Sequence, residues 1–265
     1  MPTELTFAQF TDCHLFADKR QCHHGARVYQ NLVAVLKQIK QMPELDFVIF
    51  TGDLTQDHSD ASYQNFVDAV TESQLTLPLY WLAGNHDEMS SMATYLNRLP
   101  FNASKQIEST TWQVMLLNSK SDTPAGIVST QQLSALTQNI NANKFQLLVM
   151  HHHAVDVGYF IDRHGLLNQA EFWQQINQHA SIKSIACGHV HNALTKYNPN
   201  STYQVPVITC PATSIQFSQT ATTVCNANLP AGFRTYQLFS NGKVETSAHY
   251  LPINYLSSHD NKPSS

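Results

Sequence analysis

Along the first 190 residues, short apolar runs alternate with longer stretches in which apolar side chains recur every three or four positions. Residues 5–10 (LTFAQF), 46–50 (DFVIF), 79–83 (LYWLA), 114–118 (VMLLN), 145–150 (FQLLVM) and 184–188 (SIACG) have the length and composition of buried strands. The stretches between them predict helices. Residues 27–41 carry Val28, Leu32, Val35, Leu36 and Ile39 on one stripe, which Pro43 helps to stop. Residues 61–73 repeat the pattern with Phe66, Val67 and Val70, and residues 130–142 with Leu133, Leu136 and Ile140. Beyond Gly188 the period changes. YQVPVIT, TSIQF, GFRTYQLF and GKVETSAHYL alternate as antiparallel strands do, with turns such as Asn241-Gly242 between them. A βα first part running into a β-rich second part predicts two sheets packed together with helices outside.

Composition narrows the picture. A chain of 265 residues, 42% hydrophobic and 13% charged, is long enough to bury one substantial core, so one domain over 1–256 is expected, followed by a loose polar tail at 257–265 (SSHDNKPSS). The formal charge of −4 is spread along the chain, and no Lys/Arg cluster offers a footprint for a nucleic-acid duplex. Glu4 stands where a signal peptide would carry basic residues, and no apolar run reaches bilayer-spanning length, so no membrane contact and a cytoplasmic location are expected. Five cysteines (Cys13, Cys22, Cys187, Cys210, Cys225) without a CxxC pair argue against a disulfide framework or a thiolate zinc site. Histidine is the unusual residue, with 14 copies against 15 for lysine and arginine together.

Those histidines fall where chemistry is expected, because ligands in open α/β sheets bind beyond the carboxyl ends of the strands. After LTFAQF comes D-x-H (Asp12, His14); after DFVIF, Gly52-Asp53; after LYWLA, Gly84-Asn85-His86-Asp87; after FQLLVM, the triplet His151 to His153; after SIACG, G-H-x-H (His189, His191). Taken singly, each is an ordinary turn, cap or surface histidine. Five together at one predicted rim are not. Imidazoles and carboxylates without thiolates suit manganese, iron or zinc. The candidates Asp12, His14, Asp53, Asn85, His152, His189 and His191 exceed what one four-coordinate ion needs and match two, with Asp53 as the shared carboxylate. Paired ions of this kind activate a hydroxide for in-line attack on a phosphoester.

In this order the motifs resemble the calcineurin-like metallophosphoesterase superfamily. Within it, TDCHLFAD, GDLTQDHS, HHHAV, FIDRHGLLN, PATSIQF and PAGFR are similar to segments of bacterial class III cyclic nucleotide phosphodiesterases. The resemblance implies a four-layer αββα sandwich of two mixed sheets. It implies that Asp12, His14 and His191 hold one metal, Asn85, His152 and His189 the other, with Asp53 between. Choosing His152 from the triplet follows the family's H-x-P pattern, but Ala154 stands where the proline is usual, which leaves His151 as a substitute. His14, Asp53, Asn85, His86 and His191 are expected to face the substrate phosphate. His86 is expected to protonate the leaving oxygen, and Asp87 to be structural. Arg234 stays outside the predicted site, and the loop of Tyr159, Phe160 and His164 is placed by position alone to cover a nucleobase.

The expected activity is opening of 3′,5′-cyclic AMP to 5′-AMP by a metal-bridging hydroxide. Other substrates for the same site are 2′,3′-cyclic nucleotides, glycerophosphodiesters and phosphomonoesters. A non-catalytic scaffold of the same fold would have lost ligands or His86, and this chain keeps them.

Overall fold

The computed structural model describes residues 2–252; the predicted tail at 257–265 lies outside them. In chain order the strands are β1 (Thr3–Phe10), β2 (Phe47–Phe50), β3 (Leu79–Trp81), β4 (Phe101–Asn102), β5 (Gln106–Glu108), β6 (Trp112–Leu116), β7 (Phe145–Met150), β8 (Ile182–Cys187), β9 (Thr195–Tyr197), β10 (Pro206–Thr209), β11 (Gly232–Phe239) and β12 (Val244–Tyr250). The helices are α1 (Val28–Lys40), α2 (Asp60–Ser73), α3 (Met89–Tyr95), α4 (Thr130–Asn139) and α5 (Gln169–Ile176). Two six-stranded sheets result, ordered β12-β11-β1-β2-β3-β4 and β5-β6-β7-β8-β10-β9. Both are mixed: β1 to β4 run parallel, as do β6, β7, β8 and β10, while the flanking strands pair antiparallel.

The continuous apolar runs have a simple cause, since each central strand is buried on both faces. Phe7 of β1, Phe47 and Ile49 of β2, and Leu147 and Val149 of β7 meet between the sheets, where Phe7 stacks on Phe47 at 5.0 Å and on Tyr236 at 4.7 Å. The alternate residues Phe10, Val48 and Phe50 face outward against Leu32, Leu36 and Phe66 of α1 and α2. Leu148 and Met150 do the same against Leu133 of α4 and Phe172 of α5. The order of layers is therefore α, β, β, α, as the resemblance implied.

The β-rich second part does not form a sheet of its own. β11 and β12 cross back to lie beside β1, while β10 joins β8 in parallel. Residues 213–217, expected as a strand, are a loop held by backbone bonds from Thr213 to Thr11 and from Ser214 to Asp12, with a single bridge from Phe217 to Asn226. Parallel register brings Phe10, Phe50 and Trp81 level at the end of one sheet, and Met150 level with Cys187 at the end of the other. The reactive residues follow directly from those ends.

Candidate metal centre

Asp12, His14, Asp53, His189 and His191 all have left-handed backbone, with φ between 48° and 63°. A non-glycine residue in that region costs about 1–2 kcal/mol. In D-x-H and in H-x-H the two left-handed residues stand two apart, directly after the ends of β1 and β8. The Gly52 turn has φ +97°, and a Cβ there would lie 2.4 Å from the Gly84 nitrogen; one on Gly84 would lie 2.2 Å from Asp53 Oδ1. Gly84 has no positive φ and serves close approach of two turns rather than a bend of its own.

The side chains converge with their acceptors inward. His14 Nδ1 meets Gln56 Oε1 at 2.8 Å and His191 Nδ1 meets the Ile215 carbonyl at 2.7 Å; each must donate there, which leaves both Nε2 atoms as lone pairs. These two lone pairs face each other at 3.2 Å. Asp12 Oδ1, buried and without a hydrogen-bond partner, lies 3.3 Å from His191 Nε2. A second group mirrors the first. His151 Nδ1 donates to the Thr51 carbonyl at 2.7 Å, so its Nε2 is turned to His189 Nδ1 (3.1 Å), Asn85 Oδ1 (3.2 Å) and Asp53 Oδ2 (3.4 Å). Asp53 Oδ1 is taken by the His86 backbone N–H at 2.9 Å, whereas Oδ2 lies 3.4 Å from His151 and 3.7 Å from His14, facing both groups. Nitrogens and carboxylate oxygens packed this closely repel unless a proton or a cation sits among them. The donor set therefore fits borderline first-row metal ions.

The pKa shifts agree. Burial, with neighbouring imidazoles assisting, holds His14 and His189 well below the usual range, in the neutral form a metal ligand needs. On His151 burial works against charge, but the Asp53 carboxylate overrides it and brings the ring up to about 9. Asp53 answers in kind: burial would raise it, yet His151, His86 and His14 pull it well below the carboxylate range. This spot favours positive charge strongly.

His152 sits differently. It has a ring nitrogen within 4.8 Å of ligand atoms on His151 and His189. Both its nitrogens, however, have protein partners, Nδ1 with Ser119 Oγ at 2.8 Å and Nε2 with the Pro124 carbonyl at 3.2 Å. His153 turns away, its Nε2 3.2 Å from Asp162.

His86 is half-buried, edge-on to His14 at 4.9 Å and parallel to His58 at 5.9 Å, and its Nδ1 has no partner. Asp87 is fully buried and accepts backbone N–H groups of Asp53 (2.8 Å), Leu54 (2.8 Å), Gly84 (2.9 Å) and Thr55 (3.4 Å). It stitches the Gly-Asp turn to the GNHD turn. Burial and the Asp53 charge push its pKa up, against the pull of the Gly84 and Leu54 donors. Arg234 is away from these groups, bonded to the Thr209 carbonyl and Thr246.

Several neighbours escaped sequence reasoning. His23 stacks on His14 at 4.9 Å and 5°, and burial, then the charges of His191, His24 and His86, lowers it to about 3. Phe217 lies flat on His191 at 3.8 Å and 9°. Lys120 Nζ reaches the Asn85 carbonyl at 3.3 Å. The His23-His24 pair was a visible signal; Phe217 and Lys120 had none. A cavity of about 220 Å³ has His14, Asp53, Asn85, His86, His189 and His191 among its lining, and rises along Phe160, Ile161, Phe217 and Val224.

A family model described as calcineurin-like phosphoesterase matches residues 5–202. A protein of Colwellia psychrerythraea named "Probable cyclic nucleotide phosphodiesterase" is 51% identical over 250 residues, covering 93% of this chain and 95% of its own length. The 3′,5′-cyclic adenosine monophosphate phosphodiesterases CpdA of Vibrio vulnificus and Escherichia coli K12 are 33% and 31% identical, covering 93% and 92% of this chain and 90% and 88% of theirs. Among solved structures, a dimetal phosphatase from Danio rerio shares the fold with a TM-score of 0.66 at 13% identity, covering 94% of this chain and 99% of that one.

Proposed function

Because the chain belongs to the calcineurin-like phosphoesterase family, we propose that it is a metal-dependent cyclic nucleotide phosphodiesterase that opens 3′,5′-cyclic AMP to 5′-AMP. The observation that carries this reading is the convergence of buried imidazole nitrogens and carboxylate oxygens into two groups that meet at Asp53 Oδ2. Asp12, His14 and His191 would hold one ion. Asn85, His189 and His151 would hold the other, so the triplet's ligand moves from His152 to its neighbour on the ground that both His152 nitrogens are engaged. Two transition-metal ions there, iron, manganese or zinc, supply Lewis acidity and an activated water. The remaining work belongs to the chain.

Asn85 is a neutral ligand, which leaves the pair net cationic and attractive to a phosphate. His14, Asp53, Asn85, His86 and His191 surround the place where that phosphate would sit. His86 is fixed by its backbone N–H on Asp53 and lines the cavity beside the groups that would hold the ions. There it donates a proton to the departing O3′. Asp87 keeps His86 in place by locking both turns. The substrate in this reading is a small anionic nucleotide and the location cytoplasmic; no helix among the described residues is long and apolar enough to cross a membrane. Since β11 and β12 complete the first sheet, we read 1–256 as one catalytic unit.

A panel of phosphoesters tests the assignment on manganese-reconstituted protein. The highest kcat/KM is expected for 3′,5′-cyclic AMP over 2′,3′-cyclic AMP, glycerophosphocholine and p-nitrophenyl phosphate. A more than tenfold preference for any of the last three would move the substrate.

A further inference from the structure

The floor of the cavity is polar and suited to a phosphate, but one wall is apolar and has no part in that chemistry. Phe160, Ile161, Phe217 and Val224 make this wall. A cyclic nucleotide has the matching shape: the ring fused to its ribose sets an anionic end and a planar aromatic end in a nearly fixed relation. A phosphoester of a small polar alcohol has nothing to place there.

The two aromatic residues are not equivalent. Phe217 commits one face to His191, parallel at 3.8 Å. Phe160 is half-buried and meets its aromatic neighbours only at steep angles, Tyr159 at 5.9 Å and 65° and Phe217 at 5.1 Å and 55°. Neither contact stacks face to face on it. It is backed by a small core of its own, including Val157, Tyr159, Ile161, Val190 and Ile215.

The loop that carries it is tied by side-chain bonds. Asp162 accepts N–H groups from Val157 (2.7 Å) and Gly158 (2.8 Å). Arg163 Nε donates to the Phe160 carbonyl at 3.2 Å, and the same guanidinium reaches across to the Thr222 carbonyl at 2.6 Å, next to Thr223 and Val224 of the cavity lining. A platform held before the ligand arrives loses little freedom on binding it.

We propose that Phe160 is the specificity-determining residue on which the nucleobase stacks, with the Arg163 bridge to Thr222 joining the two loops that enclose the base. The inference rests on the cyclic-nucleotide reading above and adds the residue that selects for a base. Purines, with the larger π-surface, are preferred over pyrimidines.

The test is calorimetric binding of 5′-AMP and of ribose 5-phosphate to the manganese-loaded protein, alongside hydrolysis of 3′,5′-cyclic AMP. Wild type is expected to bind 5′-AMP about tenfold more tightly than ribose 5-phosphate, in the range of base–aromatic stacking. Phe160→Ala closes that gap, raises KM for cyclic AMP about tenfold and leaves kcat within threefold; Phe160→Trp restores the gap. Equal losses for both ligands would make Phe160 merely structural and overturn the proposal, as would an undiminished gap in Phe160→Ala. If wild type hydrolyses cyclic AMP and the gap survives the substitution, only the platform falls. If wild type hydrolyses no cyclic nucleotide, the functional reading falls and takes the platform with it.

Discussion

At the residue scale the sharpest question is which member of the histidine triplet serves the centre. The family resemblance pointed to His152 through an H-x-P pattern that this chain breaks at Ala154, leaving His151 as a substitute. Spacing cannot say which way a ring faces after a strand ends. Hydrogen bonding can, because the Thr51 carbonyl fixes His151 Nδ1 as a donor and turns Nε2 to His189, Asn85 and Asp53, while Ser119 and Pro124 engage both nitrogens of His152. His151→Ala should therefore lose one of two bound ions, with more than hundredfold weaker binding at that position, whereas His152→Ala should retain both ions and weaken one at most tenfold to hundredfold. Metal content after gel filtration separates the two; loss of an ion from His152→Ala alone would reverse the assignment. For His86 the expectation is a fall in kcat of about 10²- to 10⁴-fold on cyclic AMP in His86→Ala. The fall should be much smaller on bis(p-nitrophenyl) phosphate, whose leaving group needs no proton. Equal losses on both substrates would remove the acid role.

At the scale of elements, the strand-to-loop turns carry the design and are also its weak points. Asp87 is the single acceptor for four backbone N–H groups from two such turns. Removing it in Asp87→Ala leaves buried donors unpaired and should cost on the order of 3 kcal/mol in chemical denaturation; a loss under 1 kcal/mol would mean the turns hold without it. A milder case lies before α2. There Asp57 accepts from the Ala17 N–H (2.7 Å) and from the Ser59 hydroxyl (2.7 Å) and N–H (3.1 Å). Burial is the largest single effect and works against it, but these bonds together hold its pKa below the usual carboxylate value. With the folded pKa depressed, its stabilisation is fully present above pH about 4 and is lost as pH falls through the folded pKa. The stability difference between wild type and Asp57→Asn, from urea unfolding, should be flat above pH 4 and shrink below it; a difference that grows in acid would contradict the sign. The long periodic elements were legible in sequence: α1 and α2 fall within one residue of their expected bounds, and β7 matches its run. The two- and three-residue strands β4, β5 and β9 and the short helices α3 and α5 were not, since elements of that length are fixed by their neighbours rather than by a period of their own.

At the scale of the whole molecule, the two sheets act as one device that brings five strand ends to a common rim. That rim was readable because each end carried a polar group just after an apolar run, and because the parallel strands share a direction. The return of β11 and β12 to the first sheet was not readable, since alternation states that a strand is half-exposed and not which sheet it joins. Nor were Gln56, Ser119 or Phe217, which reach the centre only through tertiary contact. Assembly of so many buried acceptors should make the folded chain depend on bound cations. Chelation should lower the melting temperature, and manganese at a hundredfold excess over its Kd should restore about 2.7 kcal/mol per site; an unchanged melting temperature would mean that the acceptors do not bind metal. The central claim, a paired-metal centre that breaks the bond from phosphorus to O3′ of a cyclic nucleotide, is tested most directly by following 3′,5′-cyclic AMP with phosphorus NMR, with manganese and then with excess chelator. The account predicts conversion to 5′-AMP that stops on chelation. Formation of 3′-AMP, or undiminished turnover in the chelated protein, would contradict it.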